Sequence, residues 1–120
     1  MGFFDSLAKG VIGVAGSAAE QLKKKGIQAS EQTWETMSQL NNERLQSIYK
    51  EHKFNDTKGA LAAIALAYRG ANSYQIPISG SEEKDDARRR IDQIRKMIEM
   101  EDASVFDEIR EGIGKLQRLI

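Results

Sequence analysis

The sequence predicts an all-α protein: a small helical bundle of about five helices, with a Gly-rich amphipathic N-terminal helix and a C-terminal αα-hairpin. Three observations predict it. The 120 residues include one proline, whereas turn-rich β proteins place proline freely in their many connections. Apolar residues recur at three- and four-residue spacing along most of the chain, the pattern of helices with one buried face. The ten glycines gather toward the ends, five of them within the first 26 residues, so that Gly59, Gly70 and Gly80 punctuate the middle. A chain of this length is one domain with room for one modest core.

The first helix is expected from about Phe3 to Lys25. At 100° per residue, Phe3, Phe4, Leu7, Val11, Val14, Ala15, Ala18 and Leu22 share one face, and Asp5, Lys9, Glu20 and Lys24 fall opposite. Gly10, Gly13 and Gly16 each cost about 1 kcal/mol relative to alanine inside a helix, so this helix needs a surface to form on. Lys23, Lys24 and Lys25 suit the negative end of the helix dipole, and Gly26 is the expected stop.

Ser30 is the expected N-cap of a second helix that runs to about His52, with Trp34, Met37, Leu40, Leu45, Ile48 and Tyr49 as its stripe. Asn55, Asp56 or Thr57 caps a third, Lys58 to Arg69, which is apolar on almost every side and is expected to be the most buried. Gly70 ends it. The loop that follows is extended at its centre because Pro77 disfavours helix at Ile76, and it reads as a linker or hinge.

The fourth helix is expected from Ser81 to about Glu101, with Ala87, Ile91, Ile94 and Ile98 in a narrow seam and Asp85/Arg89, Asp86/Arg90 and Asp92/Lys96 as i,i+4 ion pairs. Asp102 or Ser104 caps the fifth, whose face is Val105, Phe106, Ile109, Ile113, Leu116 and Ile120. The chain therefore divides into an N-terminal helix (1–26), a central helical hairpin (27–72), a linker (73–80) and a C-terminal hairpin (81–120).

The inventory excludes much chemistry. With no cysteine there is no disulfide, thiolate nucleophile or Cys-based metal site, and one histidine cannot build a His-rich centre. The spacing Gly10, Gly13, Gly16 is not a dinucleotide fingerprint, and Gly112-Ile113-Gly114-Lys115 lacks both the first glycine of a phosphate loop and the Ser or Thr after its lysine. His52, between Glu51 and Lys53, has no sequence-visible nucleophile to serve, and Trp34 belongs to a core stripe. No catalytic residue, metal ligand, cofactor or small-molecule substrate is expected, and the chain is not expected to be an enzyme.

Eighteen Lys plus Arg balance eighteen Asp plus Glu, but not evenly. Residues 1–30 hold Lys9, Lys23, Lys24 and Lys25 against Asp5 and Glu20, whereas residues 81–102 hold six bases against eight acids. Arg88, Arg89 and Arg90 point in different directions around a helix and two of them follow acids by four residues, so nucleic acid is not an expected partner.

The expected function is a non-enzymatic protein-interaction module, self-associating or binding a partner protein, with Ile91, Ile94, Ile98, Ile109, Ile113 and Leu116 as its interface. The first alternative is a peripheral membrane protein, with Phe3, Phe4, Leu7, Val11 and Val14 at the acyl boundary and Lys23, Lys24 and Lys25 near anionic headgroups. The same N-terminal face would equally suit a hydrophobic protein partner. The second alternative is a small inhibitor or immunity-type binding protein. A cytoplasmic location is expected, with a peripheral position at a membrane as its variant.

Overall fold

The computed structural model describes residues 24–120, all of it helix, turn or loop without a strand among the described residues. The expected helix from Phe3 to Lys25 lies outside them apart from its last two positions. Five helices follow in order: α1 (24–38), α2 (Asn42–His52), α3 (Thr57–Tyr68), α4 (Gly80–Met97) and α5 (Ser104–Gln117). They form a bundle around α3.

The first two helix boundaries differ from expectation. α1 runs through both Gly26 and Ser30, so neither stops or starts a helix. Gly26 is instead a close-approach position, where an added Cβ would stand 3.0 Å from Met97 Sδ, and Ser30 is buried as a small side chain on the inner face. The break falls at residues 39–41, because Asn41 turns its carboxamide oxygen onto the Arg44 N–H at 2.9 Å and caps α2. One expected helix from Ser30 to His52 is therefore two, set at a corner.

α3 is the central helix, as its composition demands: residues 59–67 are all buried. Asp56 is its cap, accepting from the Gly59 N–H at 2.8 Å. An alanine Cβ at Gly59 would lie 1.9 Å from the Lys53 carbonyl oxygen, so this corner tolerates no side chain. Gly70, at φ +91°, closes the helix in the left-handed region, with the Ala71 N–H returning to the Leu66 carbonyl at 2.9 Å.

α4 starts at Gly80 rather than Ser81. Ser79 is the N-cap residue, and the Glu83 carboxylate reaches back to accept from its backbone N–H at 2.7 Å. Of the three expected ion pairs only Asp92–Lys96 forms, at 3.0 Å; Asp85 pairs with Arg88 and Asp86 with Arg89, one residue closer in sequence. α5 is preceded at its N-cap by Ala103, not Asp102 or Ser104, and no side chain caps it.

α4 and α5 follow one another across a short turn and touch, as expected of the C-terminal αα-hairpin. α5 packs chiefly on α3, which it approaches so closely that a Cβ on Gly112 would stand 2.6 Å from Ile64 Cγ2 and 2.7 Å from the Ile64 carbonyl oxygen. The loop between α3 and α4, expected as a linker or hinge, is tied into the bundle at two points. Ile76 is buried in the shared core, and the Tyr49 hydroxyl donates to the Pro77 carbonyl at 2.7 Å. The central and C-terminal hairpins thus share one hydrophobic core reaching from Trp34 to Leu116.

Each of the other three connections is held by an arginine from outside it. Arg69 donates to the Met37 and Ser38 carbonyls and to Asn42 Oδ1, closing the α1–α2 turn. Arg90 donates to the Phe54 and Asn55 carbonyls in the α2–α3 turn. Arg110 donates to the Ile98 and Glu101 carbonyls in the α4–α5 turn. Carbonyls at helix C-termini lack intrahelical partners, and a guanidinium with several N–H donors satisfies more than one at a time.

Candidate functional sites

The six residues expected to face a partner are core residues. Ile91, Ile94 and Ile98 of the α4 seam and Ile109, Ile113 and Leu116 of α5 are each at most 2% exposed within the single chain. The physical reason is largely α3: with alanine at most of its turns it admits helices on several sides, and the two C-terminal stripes are covered by it and by each other within the chain. Phe3, Phe4, Leu7, Val11, Val14 and Lys23 lie outside the described residues. Lys24 and Lys25 are exposed at the start of α1. No described helix is long and apolar enough to cross a membrane.

Trp34 is where its stripe places it, in the core. Its ring meets Tyr68 edge to face at a centroid separation of 5.9 Å, and Nε1 donates to Glu108 Oε1 at 3.3 Å. Lys115 stands 5.5 Å from the Tyr68 ring centroid and donates to the Tyr68 carbonyl. The indole face is therefore spent on packing.

His52 is not a bare helix-terminal imidazole. Nδ1 lies 2.7 Å from Asp56 Oδ2, while Asp56 Oδ1 holds the Gly59 N–H. Partial burial pushes the Asp56 carboxyl up, but the Gly59 N–H, the His52 hydrogen bond and charge, and Arg90 outweigh it and hold the group below the ordinary aspartate value. The pair locks the α2–α3 corner. The described residues contain no cluster of three or more His, Cys, Asp or Glu arranged to hold a metal ion.

Two concavities among the described residues bear on a site. The first, about 290 Å³, lies between the end of α2 and the start of α4, with Tyr49 and Phe54 at its base and Glu82, Glu83 and Asp86 along one wall. Lys53, Glu83 and Tyr49 among its lining groups are already engaged. Lys53 bonds Glu83 at 3.0 Å, and the Ser79 backbone N–H together with Lys53 holds the Glu83 carboxyl below its usual range. Tyr49 is pushed up to about 12 by burial and then by Glu83, and its hydroxyl is already donated to Pro77. These groups brace a helix junction rather than present an acid, base or nucleophile to a guest.

The second concavity, about 520 Å³, is an open groove in the corner between α1 and α2, reaching the first turn of α3. Met37, Leu40 and Ile48 supply its apolar floor, Gln32, Thr33 and Thr36 one lip, and Arg44 and Lys58 its charge. Sequence reading missed it because it took Ser30 to His52 as one helix, which keeps Leu40 and Ile48 on a straight stripe. The signal was present in Asn41-Asn42-Glu43, an N-cap type before an acidic first turn. No family model, curated protein or solved structure matches this chain.

Proposed function

We propose that the chain is a non-enzymatic helical interaction module whose association element is the N-terminal stripe of Phe3, Phe4, Leu7, Val11 and Val14, carried on the bundle of α1 to α5. One observation carries this reading. The five described helices turn most of their apolar surface into one shared core, the six C-terminal residues first expected at an interface included, so the longest apolar stripe left to argue for association is the one preceding α1 in sequence. Each large side chain on it would contribute about 1.5–3 kcal/mol if buried, against the rigid-body entropy lost on association.

A second copy of the chain is the partner that needs no further component, and it sets the test. The mass in solution of the full chain should rise above 13.4 kDa with concentration, and the double substitution Phe4→Glu/Leu7→Glu should hold it at the monomer mass. A bilayer is the second reading, favoured by the exposed Lys24 and Lys25 directly after the stripe. Phosphatidylcholine vesicles with and without phosphatidylserine separate the two: membrane association predicts co-sedimentation with the anionic vesicles that the double substitution abolishes. If the double substitution changes neither mass nor vesicle binding, the N-terminal stripe is not an association element.

A further inference from the structure

The groove at the α1–α2 corner has a chemistry of its own, independent of the N-terminal stripe, and we propose that it docks an acidic amphipathic helix of a partner protein. Its floor is apolar but only partly covered: Met37 is buried, whereas Leu40 and Ile48 keep part of their surface in solvent. Its charged side chains among the described residues, Arg44 and Lys58, are both exposed cations, and no described carboxylate lines the groove.

Elsewhere the surface charge is mixed: Lys50, Lys84 and Arg118 also form no ion pair among the described residues but do not line this groove, whereas five cations are neutralised locally. Lys53, Arg88, Arg89, Lys96 and Arg110 each sit against a carboxylate, at Glu83, Asp85, Asp86, Asp92 and Asp107 respectively. Arg44 and Lys58 have no such partner among the described residues. In a chain with as many acids as bases, an apolar floor edged by two cations without a counter-charge is matched by a guest of the opposite pattern. A helix laying leucine or isoleucine side chains at i, i+3 or i+4 and i+7 along the groove would cover Leu40 and Ile48, and acidic residues flanking that stripe would meet Arg44 and Lys58. A nucleic-acid backbone would engage the two cations but leave the floor wet, which is why the peptide is the better fit.

The probe is a synthetic peptide of about sixteen residues, capped at both ends, with leucine at helical spacing and glutamate flanking the stripe, set against its lysine counterpart. Titrated into the full-length protein with chemical-shift detection, the glutamate peptide should shift the Leu40 and Ile48 methyl signals and bind at least about tenfold more tightly than the lysine peptide. The protein variant Arg44→Glu/Lys58→Glu should reverse that order, since both side chains are exposed and their replacement leaves the fold intact; Leu40→Gln should weaken both peptides alike. Phe4→Glu/Leu7→Glu should leave the titration unchanged, so failure of the N-terminal reading and failure of this one are separate results. Equal affinity for the two peptides, no reversal in the charge-swapped variant, or displacement of the glutamate peptide by a DNA oligonucleotide that Leu40→Gln does not weaken would each overturn the assignment.

Discussion

The contact between α3 and α5 and the corner between α1 and α2 close the same bundle by opposite means. Where α3 meets α5 the chain uses the absence of side chains: Gly112 lets the Ile64 backbone approach, and the flanking residues Ile109, Ile113 and Leu116 are fully buried. Where α1 meets α2 the chain uses hydrogen bonds, with Arg69 holding the turn from outside while the two helices diverge above Met37 and leave a groove. Close packing consumes apolar surface and leaves nothing for a partner. A polar clamp fixes the angle between two helices without filling the space between them, and that is how a chain of 120 residues keeps a partly uncovered apolar surface beside a sealed core.

Substitution should expose the difference in magnitude. Gly112→Ala puts a methyl 2.6 Å from Ile64 Cγ2 and 2.7 Å from a backbone oxygen, which one rotamer change cannot relieve, so α3 and α5 must separate. Overpacking of this kind costs about 1–3 kcal/mol, and the backbone contact places this site at the upper end. Urea unfolding should show a lower midpoint with an unchanged slope; a wild-type midpoint would mean that the helices are not in close contact. Arg69→Ala should cost less, about 1.5 kcal/mol, because the Met37 and Ser38 carbonyls it abandons can reach water at the turn. Its distinguishing readout is local: amide exchange should quicken in residues 36–45 and not in α5, with Arg69→Lys between the two.

Much of this fold was legible in the residues, and the misses have one origin. The burial of α3 follows from its alanines and its stop from Gly70, and its cap narrows to Asn55, Asp56 or Thr57, of which Asp56 serves, because those depend on residues next to one another in sequence. The C-terminal interface expectation differs from the observed burial because the seam of Ile91, Ile94 and Ile98 says only that something covers it, and α3 and α5 together supply that cover within the chain. The arginine clamps were illegible for the same reason: nothing local tells Arg90, which reaches the Phe54 and Asn55 carbonyls, from Arg88 and Arg89, which end on surface aspartates.

The α3–α4 loop lies between the two regimes, since it buries one side chain, Ile76, and is tied by one hydrogen bond from Tyr49 to Pro77. Tyr49→Phe keeps the ring against Phe54, 5.5 Å away edge to face, and deletes only that bond. The expected loss is about 1 kcal/mol, with exchange quickening in residues 72–79. A larger loss spread over the core would place this loop with the packed contact rather than with the clamped corner.

The smallest expected effect lies at the α2–α3 corner, where packing and hydrogen bonding meet. Gly59 is pressed against the Lys53 carbonyl, and Asp56 bonds both the Gly59 N–H and His52. Because the folded state holds the Asp56 carboxyl below its ordinary value, the ionised group contributes stability that is complete above the unfolded-state value and is lost as pH falls through the lower, folded value. Asp56→Asn keeps an N-cap residue but does not titrate. The stability gap between wild type and Asp56→Asn should therefore be constant near neutrality and shrink on acidification through the carboxylate range, by an amount kept small because Asp56 is half exposed and screened by solvent. A gap that stays constant down to pH values where Asp56 is protonated would show that its charge adds nothing beyond the cap, and would assign the corner to the close packing at Gly59 alone.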